Sequence, residues 1–267
     1  MSSGDLDLIL FAASADLVRQ GLAAGIGALI VDWEWRGKEE RQAGSDTEIN
    51  RDTPEDLARL AALGVPRRLC RINRVGPWTP EEVEAALASG ATRILVPMVE
   101  TPREVESVLG RVAGRCEVGI LVETERGVAA AGELARLAPA SVYLGLNDLA
   151  ISRGAQSIFE ALTDGTVERV RAAFGDLPFG FGGVTVVDRG EPVAAPLLLA
   201  EMARVGCSFS FLRRSFRRDI RGRDWPAEVG RIRDLWQGLL RRTDAEVESD
   251  RRALAAAVAA ASGAARA

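Results

Sequence analysis

Short apolar runs alternate with longer amphipathic stretches along nearly the whole sequence. Runs of four to eight residues rich in Val, Ile, Leu and Phe are typical of buried strands. The stretches between them repeat their apolar residues with helical spacing. The predicted strands are residues 6–12, 28–32, 68–73, 93–99, 118–123, 141–146, 179–187 and 207–212. The predicted helices are residues 15–24, 54–63, 80–89, 102–113, 127–137, 166–174, 192–205 and 225–242.

This alternation predicts an α/β fold of the (β/α)8 barrel type, which needs eight strand–helix units in about 250 residues. A doubly wound sheet is the structural competitor. The glycine-rich stretch "GLAAGIGALIVD" at residues 21–32 ends a helix before a strand. A dinucleotide-binding fingerprint instead follows a strand and opens a helix. The sequence therefore favours the barrel.

The chain divides into a barrel over residues 1–242 and an alanine-rich tail over residues 243–267. High helix propensity predicts an extra C-terminal helix in this tail. With little to bury at its end, it is expected to dock on this or a neighbouring subunit. Three barrel helices are preceded by Thr53, Thr79 or Thr101, each followed by proline. Threonine at the N-cap and proline in the first turn are typical helix starts.

The composition excludes several classes of function. Hydrophobic residues make up 47% and charged residues 27% of the 267 residues, which is typical of globular proteins. A net charge of −4 argues against nucleic acid as a partner. The sequence has no run of about 18 apolar residues, so no membrane span is predicted. The first ten residues do not resemble a secretory signal, so we expect a cytoplasmic protein. Cys70, Cys116 and Cys207 are expected to be buried, reduced thiols.

The sequence contains no histidine. The commonest general base and the commonest transition-metal ligand are therefore both missing. Any catalysis must use carboxylates, arginine, backbone groups or a hard metal ion held by oxygen ligands.

Polar residues follow the second and third predicted strands, at the end of a barrel where active sites lie. In "DWEW", Asp32 and Glu34 alternate with Trp33 and Trp35. On an extended strand the two acids would share one face and the two indoles the other. Arg71, at the end of the third strand, offers a guanidinium fork that matches a substrate carboxylate.

Acids also follow the fifth and sixth predicted strands. Glu123 and Asp148 lie about one strand–helix unit apart, so their carboxylates can converge in a barrel. Such a pair suits Mg²⁺ or Mn²⁺, which accept oxygen ligands and leave positions for substrate. The alternative is two solvated or salt-bridged loop acids. Gly182 and Gly183 would let backbone amides approach a ligand closely.

The ordered motifs "VDWEW", "RIN…PW", "ILVPMVETPREV", "ILVETERGV" and "LGLNDLA" resemble the HpcH/HpaI aldolase and citrate lyase β-subunit family, over roughly residues 6–215. The resemblance implies a metal-dependent barrel that makes or breaks carbon–carbon bonds through a metal-bound enolate. It implies Glu123 and Asp148 as metal ligands and Arg71 as the arginine that holds the substrate carboxylate. Asp32 and Glu34 match an acidic pair near metal-bound water.

The sequence departs from the aldolase branch of that family at two positions. The histidine that follows the acidic pair is replaced by Trp35, and its aspartate partner by Ala88 or Ser89. The citrate-lyase-like branch also lacks the histidine, but the usual second acid of its strand-two motif is again replaced by Trp35. The general base is therefore open: Glu34, Asp32, a water that they polarise, or a residue of another subunit.

These observations predict a Mg²⁺- or Mn²⁺-dependent carbon–carbon lyase acting on a 2-oxo acid such as pyruvate or oxaloacetate. One alternative is an acyl-CoA lyase or thioesterase of the citrate lyase type. Another is a non-catalytic barrel that binds a small acid. The basic run over residues 213–223 could hold phosphates or a diacid, or could be a salt-bridged outer face. Family resemblance and the alanine-rich tail predict a homo-oligomer, a trimer or hexamer.

Overall fold

The computed structural model describes residues 4–12, 14–37 and 52–264. Within this part of the chain, nine parallel strands form one sheet in the order β7-β6-β5-β4-β3-β2-β1-β9-β8. The strands are β1 (Asp7–Phe11), β2 (Ala28–Asp32), β3 (Arg67–Arg71), β4 (Arg93–Val96), β5 (Glu117–Val122), β6 (Ser141–Leu144), β7 (Phe179–Phe181), β8 (Gly183–Val184) and β9 (Phe209–Leu212).

The two shortest strands are halves of one barrel strand. Gly182 separates β7 from β8 and has a φ of 61°, a left-handed conformation that glycine adopts without strain. β7 pairs with β6, whereas β8 pairs with β9. The predicted continuous strand over residues 179–187 is therefore broken at Gly182. The bend lets one segment reach both neighbours, so the predicted (β/α)8 barrel is confirmed.

Helices surround the strands. They are α1 (Ala15–Ala23), α2 (Pro54–Ala62), α3 (Thr79–Ala88), α4 (Pro102–Val112), α5 (Glu125–Ala129), α6 (Ala131–Ala135), α7 (Leu146–Arg153), α8 (Thr166–Phe174), α9 (Ala195–Arg204), α10 (Arg214–Asp219), α11 (Trp225–Leu239) and α12 (Asp244–Ala264). The predicted helix over residues 127–137 is two short helices that meet at Ala130. The short helices α7 and α10 were not predicted, and both border the site described below.

Two of the three predicted helix starts are confirmed. Thr53 and Thr101 each form a capping box, with Asp56 and Glu104 respectively. The third prediction is wrong, because Thr79 is the first residue of α3 and Trp78 is its N-cap. The Thr79 hydroxyl instead accepts a hydrogen bond from the Gly76 amide at 2.9 Å.

Apolar side chains fill both faces of the sheet, as expected of a parallel sheet covered by helices. The barrel interior holds a layer that includes Ile9, Leu69, Leu121 and Tyr143. Alternate residues of the same strands pack outward against the helices. At the N-terminal ends of the strands, charged side chains pair across the barrel mouth, as Arg67 does with Asp7. The opposite mouth is left for a ligand.

The C-terminal helix packs on the barrel of its own chain. α12 contacts α9, and Leu254 and Val258 of α12 are buried. Arg242 donates a hydrogen bond to the Ala200 carbonyl at 2.8 Å and pairs with Asp250. Docking on a neighbouring subunit, like the domain boundary at residue 242, stays a prediction.

The predictions on the cysteines and on membrane spans can be compared with the structure. Cys70, Cys116 and Cys207 are all free thiols. Cys70 and Cys207 are buried, but Cys116 is half-buried, so the expectation of burial is wrong for that residue. Among residues 4–12, 14–37 and 52–264, no helix is long and apolar enough to cross a membrane.

Candidate active site

A pocket of about 240 Å³ opens at the C-terminal ends of the strands. Its polar wall is formed by Asp32, Arg71, Glu123, Tyr143, Asn147, Asp148, Arg213, Arg214 and Arg217. Its remaining wall is formed by Leu10, Phe11, Gly145, Leu146, Ile158, Phe159, Gly182, Gly183, Phe211 and Leu212. The sequence predicts seven site residues: Asp32, Glu34, Arg71, Glu123, Asp148, Gly182 and Gly183. Of these, only Glu34 is not part of the described pocket wall.

Arg71 and Asp32 form a two-point ion pair in the wall of the pocket. They end adjacent strands and are direct register partners. Arg71 Nε donates to Asp32 Oδ1 at 2.9 Å, and Arg71 Nη2 donates to Asp32 Oδ2 at 2.7 Å. Asp32 is fully buried, so this two-point pair lies in a region of low dielectric. One edge of the Arg71 fork is therefore already occupied by a protein carboxylate.

Glu34 also pairs with Arg71, although it is not part of the pocket wall. Its Oε2 lies 3.3 Å from Arg71 Nη1, and the residue is buried. Two acidic neighbours hold the pKa of Arg71 well above its usual value, although burial opposes this shift. Arg71 stays cationic, and its two carboxylate neighbours determine its orientation.

The predicted alternation across residues 32–35 is only partly correct, because β2 ends at Asp32. The two acids do converge, on Arg71. The two indoles do not share an environment: Trp33 is buried, whereas Trp35 is 42% exposed. The amides of Trp35 and Arg36 both donate to Asn73 Oδ1, at 3.0 and 2.8 Å, which turns the chain away from the strand.

Glu123 lies at the floor of the pocket, directly after β5. It is 3% exposed, and its Oε2 accepts a hydrogen bond from the Met98 amide at 3.1 Å. Met98 has a φ of 55°, an uncommon left-handed conformation for a side chain of this size. Burial, and then the charges of Asp148 and Glu34, raise the pKa of Glu123 to about 8.

Gly145 provides the space that the Glu123 carboxylate occupies. A Cβ at residue 145 would lie 2.6 Å from Glu123 Cγ and would overlap its Oε1. The loop after β6 must therefore carry glycine at this position if Glu123 is to point into the pocket.

Asp148 reaches the pocket from a helix rather than from a loop. It is the third residue of α7, whose N-cap is Gly145. It is buried and lines the pocket with Glu123. Because the charge of Asp148 raises the pKa of Glu123, the two carboxylates are electrostatically coupled. Glu123 and Asp148 thus line the same pocket, while their joint role as metal ligands stays a prediction.

The donor set of Glu123 and Asp148 fits a hard divalent cation. A cation between them would remove the electrostatic cost that raises the pKa of Glu123. Within residues 4–12, 14–37 and 52–264, no group of three or more Asp, Glu, Cys or His side chains could hold a metal. A cation here would therefore rely on two carboxylates, with substrate and water as its other ligands, as Mg²⁺ commonly does.

Several residues of the pocket wall were not predicted, among them Asn147, Phe211 and Tyr143. Tyr143, in the barrel interior, stacks on Phe211 with ring centroids 4.0 Å apart; the strand pattern made it one more core aromatic. Arg213 belongs to the basic run over residues 213–223, which the sequence left open between a site for phosphates or a diacid and a salt-bridged outer face. Its position directly after β9 places it at the barrel mouth, in the pocket wall.

The fold and the pocket define a (β/α)8 barrel with an acidic pair and an oriented arginine at the C-terminal mouth of its strands. No protein-family model and no curated protein matches the sequence. Structural comparison does find similar proteins.

One similar structure is that of RipC from Yersinia pestis. It is 16% identical, and the match covers 92% of this chain and 100% of that one, with a TM-score of 0.57. A second is that of an HpcH/HpaI aldolase/citrate lyase family protein from Burkholderia cenocepacia J2315. It is 18% identical, and the match covers 79% of this chain and 88% of that one, with a TM-score of 0.59. A third is that of citrate synthase SbnG. It is 18% identical, and the match covers 79% of this chain and 86% of that one, with a TM-score of 0.58.

These similarities establish a shared fold. The predicted resemblance to the HpcH/HpaI aldolase and citrate lyase family is confirmed at that level.

Proposed function

We propose that this protein is a divalent-metal-dependent carbon–carbon lyase that acts through the enolate of a 2-oxo acid. One observation carries the proposal: Glu123, Asp148 and the Arg71–Asp32 pair all line one pocket at the C-terminal mouth of the barrel. Similarity in fold to aldolase and citrate lyase proteins supports the same class.

Glu123 and Asp148 would hold Mg²⁺ or Mn²⁺. The cation would supply Lewis-acid stabilisation of the negative charge that develops on the 2-oxo group. In the metal-free protein, Glu123 carries a proton at neutral pH because its pKa is about 8. That proton must leave before the carboxylate can serve as a ligand.

Arg71 would bind the substrate carboxylate with the donors that Asp32 leaves open. A guanidinium has five N–H groups, and the two bonds to Asp32 use one on Nε and one on Nη2. Asp32 and Glu34 orient the guanidinium before a ligand arrives, which reduces the cost of binding.

Cleavage of a 4-hydroxy-2-oxo acid breaks its C3–C4 bond. The electron pair of that bond passes to the 2-oxo acid fragment, which becomes an enolate, while the C4 hydroxyl loses its proton and becomes an aldehyde or ketone. Without histidine, a carboxylate or a water molecule must accept that proton. Asp32 lines the pocket and is the better placed of the two predicted acids. Glu34 would act on Asp32 and Arg71 rather than on the substrate.

A Mg²⁺-supplemented screen of 2-oxo acids, hydroxy-2-oxo acids and hydroxyacyl-CoA esters tests this proposal. We expect enolisation or cleavage with 2-oxo acids, and dependence of both on Glu123. Turnover of CoA esters alone would instead support the acyl-CoA lyase alternative. Turnover of neither class, with metal bound, would contradict the proposal.

A further inference from the structure

Arg213 presents a buried donor with no partner at the rim of the pocket. It follows β9 directly and lines the pocket. Its Nε is buried and makes no hydrogen bond within the described residues. Its guanidinium also forms no ion pair there, unlike Arg218 with Asp219 or Arg223 with Asp188.

Contacts with Val184 and Gly183 position the backbone and Cβ of Arg213. Its amide donates to the Val184 carbonyl at 2.9 Å. A Cβ at residue 183 would lie 2.6 Å from Arg213 Cβ, so Gly183 makes room for this side chain. The nearby Asp219 is already engaged by the Thr185 hydroxyl at 2.7 Å and by Arg218 at 3.0 Å.

An unpaired, partly buried cation is unfavourable. Burial is the main cause that lowers the pKa of Arg213 below its usual value, in contrast to the raised pKa of Arg71. An anionic group of a ligand would remove this cost and satisfy the free Nε.

Arg71 and Arg213 line the same pocket from different strands. In the strand order β3-β2-β1-β9, they are separated by three steps, or about 14 Å along the wall at about 4.8 Å per strand. Aromatic rings fill the wall between them. The Arg71 guanidinium lies 5.7 Å from the Phe11 ring, and Phe11 meets Phe211 edge to face at 5.6 Å.

The pocket wall thus carries Arg71 and Arg213 on strands three steps apart, with the Phe11 and Phe211 rings among the residues between them. We propose that Arg213 binds a second carboxylate, at the far end of a dicarboxylic substrate, and so determines specificity for dianions over monoanions. The inference rests on the proposed function for the reacting end of the substrate. Recognition of the second carboxylate by Arg213 depends only on the pocket.

Two matched ligand pairs test it: oxaloacetate with 2-oxobutanoate, and 2-oxoglutarate with 2-oxopentanoate. Within each pair, the carbon chain has the same length and only the terminal carboxylate differs. Calorimetry with Mg²⁺ present would measure each Kd for the wild type and for Arg213→Gln. We expect the dicarboxylate of at least one pair to bind about tenfold tighter or more in the wild type. In Arg213→Gln that preference should disappear, with the monoacid Kd unchanged.

Arg221→Gln is the control, because it removes the same charge from an exposed position outside the pocket wall. It should keep the preference for the dicarboxylate. Arg213→Lys should keep only part of it, because lysine retains the charge and loses the planar fork. No preference in the wild type, or an equal loss in Arg213→Gln and Arg221→Gln, would overturn the inference. Exchange of the C3 protons of the 2-oxo acids tests the proposed function separately. A dicarboxylate preference without proton exchange would reject the proposed lyase function and leave the role of Arg213 standing.

Discussion

Arg71 and Asp32 are register partners on adjacent parallel strands, and their side chains meet through two hydrogen bonds of 2.9 and 2.7 Å. Glu34 adds a third contact at 3.3 Å. An arginine that could bind a ligand is thus held in place by two buried acids. The same contacts make it important for stability, because each buried carboxylate needs a cation.

Replacing this arginine should destabilise the fold. Arg71→Met leaves Asp32 and Glu34 as buried charges without their cation, and we expect a loss of about 3–5 kcal/mol in the free energy of unfolding. Urea denaturation measures it. Arg74→Met is the control, since the Arg74 side chain is 40% exposed and Glu100 keeps Arg126 as a second partner. Its loss should cost about 1 kcal/mol or less. Equal losses in the two variants would contradict a buried, structural role for the Arg71 pair.

Removing either pocket acid should weaken metal binding. We expect Glu123→Gln and Asp148→Asn each to raise the Kd for Mn²⁺ about tenfold or more, because each removes one of two carboxylate ligands. Calorimetric titration measures it. Glu125→Gln is a matched control two residues further along the chain, at the start of α5, on an exposed residue paired with Arg153. If all three variants bound Mn²⁺ like the wild type, the assignment of the site would be wrong.

The stability of the metal-free protein should fall as the pH rises from 5 to 8. The pKa of Glu123 is about 8 in the folded chain, against an ordinary value of 4.5. Between these values the folded protein holds a proton that the unfolded chain has released. The free energy of unfolding therefore decreases with rising pH, by at most about 1.4 kcal/mol per pH unit.

Urea denaturation with a chelator present would follow this dependence in the wild type and in Glu123→Gln. Asp52, whose pKa burial raises to about 6, contributes in the same direction in both proteins. The difference between the two profiles therefore isolates Glu123. Parallel profiles across this pH range would show that Glu123 does not titrate as described.

Adding one methyl group at Gly145 should disable the metal site without unfolding the protein. A Cβ there overlaps the Glu123 carboxylate, so Gly145→Ala should displace that ligand and weaken Mn²⁺ binding about tenfold or more. Gly132→Ala is the control, because Gly132 lies in α6 with open space around its Cβ position. That change should stabilise the fold by about 0.5–1 kcal/mol and leave the Kd for Mn²⁺ unchanged.

Much of the barrel could be predicted from the sequence because each strand and helix carries its own apolar period. β2 matches its prediction at residues 28–32, and α8 matches at residues 166–174. The break at Gly182 could not be predicted. It depends on pairing with two different neighbours, and neither partner is visible in the local pattern.

The position of the site residues was predictable, whereas their contacts were not. Glu123 and Asp148 follow neighbouring strands, so their convergence is a consequence of topology. The hydrogen bonds between Asp32 and one edge of the Arg71 guanidinium depend on the register of β2 and β3. The missing partner of Arg213 depends on how its neighbours pair elsewhere, and a run of arginine letters does not contain that information.

Proton exchange at C3 of pyruvate tests the proposed enolate chemistry most directly. Proton NMR in D₂O would follow loss of the methyl signal with the wild-type protein and Mg²⁺, with a chelator in place of Mg²⁺, and with Glu123→Gln. Glu125→Gln serves as the matched control. We expect exchange well above the protein-free rate for the wild type and Glu125→Gln with Mg²⁺. With chelator, or with Glu123→Gln, we expect no exchange above that rate. Exchange that is equal in Glu123→Gln and the wild type, or absent from the metal-loaded wild type, would contradict it.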